Sequence, residues 1–362
     1  MRTDPTSTLR DDVSQRHSGD ALGIRIVPPA DWPRVSGAFR DLTFEQTLTY
    51  GQAAAARIGG SAEFVTLNDA KGQSIAAACI RIKCVPGLRR GIAWIVSGPL
   101  TARHDAPDPT PEDLRAVLAA LRDHVHSSGH ILRLRLPAIS RHDPAVIDAL
   151  AASEGFLPTS RAPGYRSVAI DLSADQDTLM AALHGKWRNP LRNALKAGLN
   201  FDHGPIAEFA HRFQVLYEEV QQSKGFSPDI PPEFFYPLEG PDFDHDALIA
   251  HRDGIDLAGI TLGRTGATAT YLFGATTDAG RKVNAGHFLM WQAILYGRAL
   301  SLRWLDLGGI DPEENPSVAR FKLRAGGDEV VSAGPYEARP PGIAPALVIA
   351  AERLHRRLKD KS

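Results

Sequence analysis

Twice along this chain the hydrophobic pattern runs helix, antiparallel strands, helix, strand, and that doubled order confines the fold to two α+β lobes. The first run opens with strand-like LGIRIV at Leu22. It continues through FEQTLTYGQAAAARIGG, whose alanines favour a helix and whose glycines end it. Strands are expected at SAEFVTLND and QSIAAACIRIK, joined by a hairpin turn at NDAKGQ, and again at GIAWIVSGPL. PEDLRAVLAALRDHVHSSG reads as an amphipathic helix with Pro111 near its start and Gly129 at its end, and HILRLRLPA alternates as a strand. The second run gives a strand at SVAIDLS and helices over QDTLMAALHGKW, PLRNALKAGL and FAHRFQVLYEEVQQSKGF. Asn189 is the expected cap of the second of these helices, with Pro190 in its first turn. Three strands in ALIAHRDGIDLAGITLGRTGATATYLFGAT lead to a long helix over NAGHFLMWQAILYGRAL and a strand at WLDLGGI. The halves share order but no residue-level repeat.

A chain of 362 residues with 43% hydrophobic content can fill two ordinary cores. The net charge of −1 offers no general attraction to nucleic acid, so no DNA partner is expected and any RNA contact must come from local patches. Cys79 and Cys84 lack the second pair of a zinc site and the spacing of a disulfide framework, which points to a reduced, cytoplasmic protein without a metal. No apolar run reaches the roughly 20 residues that a bilayer requires, so stable membrane insertion is not expected. Residues 1–20 are polar and mixed in charge, fail as a secretory leader, and read as a disordered tail. The first lobe is expected over 21–165 and the second over 166–338. The remainder, 339–362, reads as an amphipathic helix with a basic end, packing back on the body.

Chemistry concentrates between Tyr271 and Val330. The apolar strand WLDLGGI ends in Gly308 and Gly309, where an open sheet places its active site. Asp306 and Asp311 flank the glycines and can orient an incoming amine; equally, Asp306 can be a strand-end partner and Asp311 a turn cap. A loop beside glycines is expected to carry Arg320, Lys322 and Arg324. Lys186, Arg188, Arg192 and Lys196 follow at or near helical spacing, suiting RNA phosphates or a solvated helix face. Arg81, Lys83, Arg89 and Arg90 surround a proline turn, and either meet a diphosphate or guard a sheet edge. Tyr50, Tyr217, Tyr271 and Trp291 serve a pocket or a core. Tyr271 is the preferred pocket residue, because Gly274 would let a ligand approach its strand.

Five features occur in order between about Phe44 and Val330. They are Gln46 to Tyr50 opening a helix, CIRIKCVPGLRRGIAWIVSGPL with its terminal Gly-Pro, Trp187-Arg188 with a later Gly198, Lys224-Gly225-Phe226 after a helix, and Arg320-Phe321-Lys322. Together they resemble the Fem family of aminoacyl-tRNA-dependent peptidyltransferases, in the short form without a helical-hairpin insertion. The resemblance implies tandem GNAT-like lobes, each a mixed, mainly antiparallel sheet flanked by helices. It implies transfer of an amino acid from aminoacyl-tRNA to the amine of a cell-wall peptide precursor or small metabolite, without a cofactor. The first lobe would serve the acceptor and the second the aminoacyl donor. Lys322 would stabilise the oxyanion, with Asp306 as its catalytic companion. Tyr50, Arg57, Arg81, Lys83, Tyr271, Gly308, Gly309 and Arg320 would contact substrate, and Lys186, Arg188, Arg192 and Lys196 the tRNA phosphates. Two departures bear on the acceptor: Ala54 stands where the family carries a lysine, and HDAPDP where it often has an aspartate, with Asp105 or Asp108 as substitutes. Two other readings are an acetyl-CoA-dependent N-acetyltransferase and a catalytically silent Fem-like binding protein. Against the first, RKVNAGHF has Asn284 where the phosphate loop needs its first glycine.

Overall fold

A computed structural model describes residues 22–139, 143–224 and 229–359; the tail expected over 1–20 and the Gly225-Phe226 pair lie outside them. The first run of elements is β1 (Gly23–Ile26), α1 (Trp32–Ser36), α2 (Leu48–Arg57), β2 (Ser61–Asn68), β3 (Ser74–Cys84) and β4 (Gly91–Val96). It closes with α3 (Pro111–Ser127), β5 (Ile131–Arg135), α4 (Pro144–Ser153) and the short β6 (Leu157–Pro158). The second run begins with β7 (Arg166–Asp171), α5 (Gln176–Ala182), α6 (Gly185–Ala194), β8 (Asn200–Pro205) and α7 (Ile206–Lys224). Next come β9 (Asp244–Arg252), β10 (Ile255–Thr265), β11 (Thr268–Thr276), α8 (Asp278–Lys282) and α9 (Ala285–Ala299). The chain finishes with β12 (Trp304–Asp306), α10 (Pro316–Leu323), β13 (Asp328–Val331), β14 (Tyr336–Ala338) and α11 (Ala344–Lys359). None of the described helices is long and apolar enough to cross a membrane.

These strands build two seven-stranded sheets, ordered β1-β2-β3-β4-β5-β14-β6 and β13-β7-β12-β11-β10-β9-β8. Each sheet has one parallel pair, β4 with β5 and β11 with β12, among antiparallel neighbours. The two α+β lobes are therefore mixed, mainly antiparallel sheets flanked by helices, in agreement with the expected fold class. One strand crosses from the second half to the first sheet. β7 leaves the first lobe directly after β6 yet pairs with β12 and β13 in the second sheet. β14, the final strand of the chain, crosses back to pair with β5 and β6. The expected second lobe, 166–338, is corrected accordingly: its closing residues Tyr336–Ala338 complete the first sheet. The first sheet thus draws its strands from both halves of the chain, whereas the second sheet lies wholly within the second half.

Each sheet packs helices over its own core. In the first lobe Leu114, Leu118 and Leu121 of α3 bury against Ile80, Ile95 and Leu134. Thr110 and Asp113 form a reciprocal capping box that fixes where α3 starts. In the second, Leu289, Trp291 and Ile294 of α9 pack with Trp187 of α6 and Leu248 of β9. Two boundaries differ from the sequence reading. The break expected before Pro190 falls at Leu183, because His184 Nδ1 caps the Lys186 N–H and α6 runs through Pro190. The expected loop around Lys322 is helical. Pro316 opens α10, and Ala319 and Lys322, three residues apart, turn one face inward.

Candidate active site

The parallel pair of each sheet decides where a substrate can enter. In the first lobe β4 and β5 stay paired from Ile92–Ile131 to Val96–Arg135, and the seam is closed. In the second, β11 and β12 pair only over Thr268–Trp304 to Thr270–Asp306, after which β12 ends while β11 runs on to Thr276. The strands part at Tyr271 and Gly308, leaving a wedge. Gly308 has φ +72, and a Cβ there would collide with the Tyr271 carbonyl, so only glycine lets the chain turn this close to β11.

Lys322 sits at that vertex and is 6% exposed. Its Nζ donates to the Gly309 carbonyl at 3.1 Å and weakly to Gly308 at 3.5 Å, and lies 4.9 Å from the centre of the Tyr271 ring. An ammonium has three N–H donors, so one remains for a ligand. Phe321, the residue before it, packs with Trp187 at 5.6 Å in a tilted pair and edge to face with His287 at 5.0 Å. Burial lowers the Lys322 pKa to about 8, against the pull of the Asp306 charge. Asp306 is the adjoining acid. Both its oxygens lie 3.0 Å from the Tyr165 hydroxyl, Ser167 Oγ also donates to it, and the Gly308 amide donates at 2.8 Å. Burial raises its pKa, with these donors and Lys322 opposing. Asp306 also lines a cavity of about 170 Å³ between the lobes, with Asp41, Glu45 and Tyr165 on its wall; Lys322 is not among the lining residues.

A polar chain missed in the sequence ties this acid to the first lobe. The Arg135 guanidinium stacks on Tyr165 at 4.9 Å and donates to Ser97 at 3.0 Å and Glu45 at 3.2 Å; Ser97 in turn donates to Glu45 at 2.9 Å. Its members come from remote parts of the chain, and the one local signal is the place of Glu45 beside the motif residue Gln46. Gln46 itself bridges β3 and β4, donating to Val96 O at 2.7 Å and accepting from Cys79 N at 2.8 Å.

Several expected substrate residues fall elsewhere. Tyr50 is 5% exposed and packed with Phe235 and Phe44 where the lobes meet. Arg81 stacks between Tyr50 and Trp94 at 5.9 and 5.4 Å, and Arg57 bonds the Asp229 carbonyl over Phe234. These three hold the lobe interface, which Asp242 reinforces by accepting from the Leu48 and Thr49 amides at the start of α2. Lys83 is exposed at the end of β3 and Arg320 on α10. The Tyr271 hydroxyl covers Gly274, so the open approach expected there is closed. Tyr217 and Trp291 are core. Asp311 caps a turn, accepting from Glu313 and Glu314 amides at 2.9 Å. Asp108 lines the cavity and pairs with Arg40, whereas Asp105 pairs with Arg103 outside it. Of the basic row, Arg188 turns inward to the Ala181 and Leu183 carbonyls at 2.8 and 2.7 Å, leaving Lys186, Arg192 and Lys196 exposed.

Ala54, at the position of the family lysine, is 5% exposed among Tyr50, Phe235 and Phe243. Ala54→Lys would overpack this cluster and bury a charge, so it is expected to cost about 3 kcal/mol in urea denaturation without creating a diphosphate site. Unchanged stability would show that the interface opens.

A family model described as an acetyltransferase (GNAT) domain matches residues 161–323. The search of curated proteins returned no match. Among solved structures, FemX is similar with a TM-score of 0.73 at 14% identity, covering 88% of this chain and 97% of its own. The C-terminal domain of a protein assigned as a lysylphosphatidylglycerol synthetase, from Agrobacterium fabrum, matches with 0.53 at 13% identity, covering 90% and 97%. A conserved protein of unknown function from Bacteroides thetaiotaomicron matches with 0.55 at 12% identity, covering 88% and 100%. At such identities the likeness is one of fold: the chain has a FemX-like fold of two GNAT-like lobes, the second matching the GNAT family model.

Proposed function

We propose that the protein is an aminoacyltransferase, carrying an amino acid from aminoacyl-tRNA to the amine of an acceptor held between the lobes. The observation that carries this reading is the connection from β11 to α9. A coenzyme A pyrophosphate would need free backbone amides there. Instead the segment folds into α8, which engages several of them within the protein. The Gly280 amide donates to Thr277 Oγ1 at 3.0 Å, and the Arg281 amide to the Thr277 carbonyl at 2.9 Å. The Asn284 amide bonds Arg281, and the His287 and Phe288 amides both bond the Asn284 carbonyl. The wedge beside Lys322 thus suits an acyl donor whose phosphates lie elsewhere, and Lys186, Arg192 and Lys196 supply exposed cations on and just beyond α6.

The ester of a charged tRNA is already activated, so position and charge suffice. The acceptor nitrogen attacks the ester carbonyl, the C–N bond forms, and the carbonyl electrons move to an oxyanion facing the Lys322 ammonium. Asp306, at the cavity wall, takes the proton from the attacking nitrogen. Collapse breaks the C–O bond, and the proton leaves with the ribose hydroxyl. Products are an amide and uncharged tRNA. The first lobe serves the acceptor and the second, with its open seam, the donor.

Incubation with a mixed charged-tRNA pool and candidate amines should yield new amides by mass spectrometry, and acetyl-CoA should yield none; acetylation without aminoacylation overturns the proposal. Binding of the charged tRNA should weaken steeply with salt, and removing the Arg192 or Lys196 charge should lower the log–log slope by about one each. Slopes that stay unchanged in both variants remove α6 from the RNA path.

A further inference from the structure

The inter-lobe cavity holds one group that the proposed transfer does not use. Four carboxylates, of Asp41, Glu45, Asp108 and Asp306, line it against the guanidinium of Arg40. Three have their partners within the protein. Asp108 is paired with Arg40, Glu45 accepts from Ser97 and Arg135, and Asp306 accepts from Tyr165, Ser167 and the Gly308 amide. Asp41 differs. Its Oδ2 accepts from the Thr101 amide at 2.9 Å and the Ala102 amide at 3.2 Å, which braces the loop. Its Oδ1 is buried and has no hydrogen-bond partner among the described residues. A buried carboxylate oxygen left bare is costly, and a cationic N–H donor is the partner that best offsets it. Burial raises the Asp41 carboxyl, with the hydrogen bonds from Thr101 and Ala102 opposing.

The chemistry of the transfer says which nitrogen that partner is. A nitrogen salt-bridged to a carboxylate is held protonated, without the lone pair that attack requires. The attacking nitrogen must lie by Asp306, on the wall contributed by the second lobe, whereas Asp41 belongs to the first. The volume limits what joins the two nitrogens. At about 170 Å³ the cavity is close to the roughly 150 Å³ of an engineered cavity that admits benzene, so it takes a body of about ten heavy atoms or fewer. Leu114, Leu136 and Ile147 give it a hydrocarbon lining.

We propose that Asp41 anchors a second, non-reacting cationic nitrogen of the acceptor, which makes the acceptor a compact diamine: two amines on a short carbon chain or ring. The inference rests on the reading that this cavity receives the acceptor. The test is titration calorimetry on the full chain with 1,4-diaminobutane, its mono-N-acetyl derivative and 1-aminobutane. The diamine should bind at least about tenfold tighter than either single-charge probe, and Asp41→Asn should remove that advantage. Equal affinities in the wild-type protein, or an advantage that persists in Asp41→Asn, overturn the anchor. The acetylated probe settles the matter in wild-type protein even if the variant folds poorly. A transfer assay run alongside separates the two claims. Amide formation without diamine preference rejects the anchor and keeps the transferase; Asp41-dependent diamine binding without transfer from charged tRNA keeps the anchor and rejects the donor.

Discussion

Lys322→Met is expected to slow aminoacyl transfer by about 10²- to 10³-fold while leaving affinity for the charged tRNA near its original value. The magnitude is that of losing one preorganised donor to a developing oxyanion in a site shielded from water. Methionine keeps the unbranched stem that lies against Tyr271, and Gly309 is exposed, so its carbonyl can turn to solvent. The fold should therefore survive. A pH profile adds a readout that packing alone would not move. Burial holds the ammonium pKa at about 8, so the wild-type rate should fall as pH rises through about 8. Stability moves the other way. The folded protein binds this proton less tightly than the unfolded chain, so wild-type stability gains as pH climbs from about 8 towards 10.5, and the methionine variant lacks that gain. Single-turnover transfer at several pH values, with denaturation at the same values, checks both. A variant with full transfer rate removes Lys322 from the chemistry.

What could be read from the sequence follows the range of the interactions involved. Helices and strands came through where periodicity is local, as in α3 with its Thr110–Asp113 box. Lys322 and Asp306 could be singled out because a strand ending in glycines and an Arg-Phe-Lys run are local as well, and both side chains are buried beside the Gly308 turn. The strand crossing was hidden, since the pairing of Tyr336 with Leu134 joins residues two hundred positions apart, and nothing near either specifies the other. Charge was legible without its partner. Arg188, Arg81 and Arg57 read as ligands for phosphate or substrate, and each instead holds a carbonyl or an aromatic face. HILRLRLPA alternates apolar and charged residues, yet all five residues of β5 are buried. Both faces of that strand are covered: Leu132 and Leu134 pack in the core with α3, while on the opposite face α11 meets Arg133 and Tyr165 meets Arg135.

The Arg133 side predicts a large loss of stability. Arg133 is 4% exposed and donates to Glu337 of β14 at 2.7 Å and, through both terminal nitrogens, to Glu352 of α11 at 2.7 and 2.8 Å. One guanidinium thus ties the central strand of the first sheet to the crossing strand and to the last helix. Arg133→Met should cost about 3 kcal/mol, because the buried Glu337 and the partly buried Glu352 each lose a counter-charge and keep only Arg339 and Arg356 beside them. Arg133→Lys should fall between, keeping the charge and losing the planar fork that grips Glu352. The acid limb supplies an internal control. Burial by itself would raise the Glu352 carboxyl, but hydrogen bonds from Arg133 and Arg356 hold it below its ordinary value near 4.5. Stability from a depressed carboxyl is present above that value and lost as pH falls through the lower folded one, so the gap between wild type and Arg133→Met should narrow below about pH 4. Urea denaturation at neutral and acid pH measures it. If the variant were as stable as the wild type at pH 7, β14 would be held by its backbone ladder alone, and the ion network would have no part in locking the lobes together.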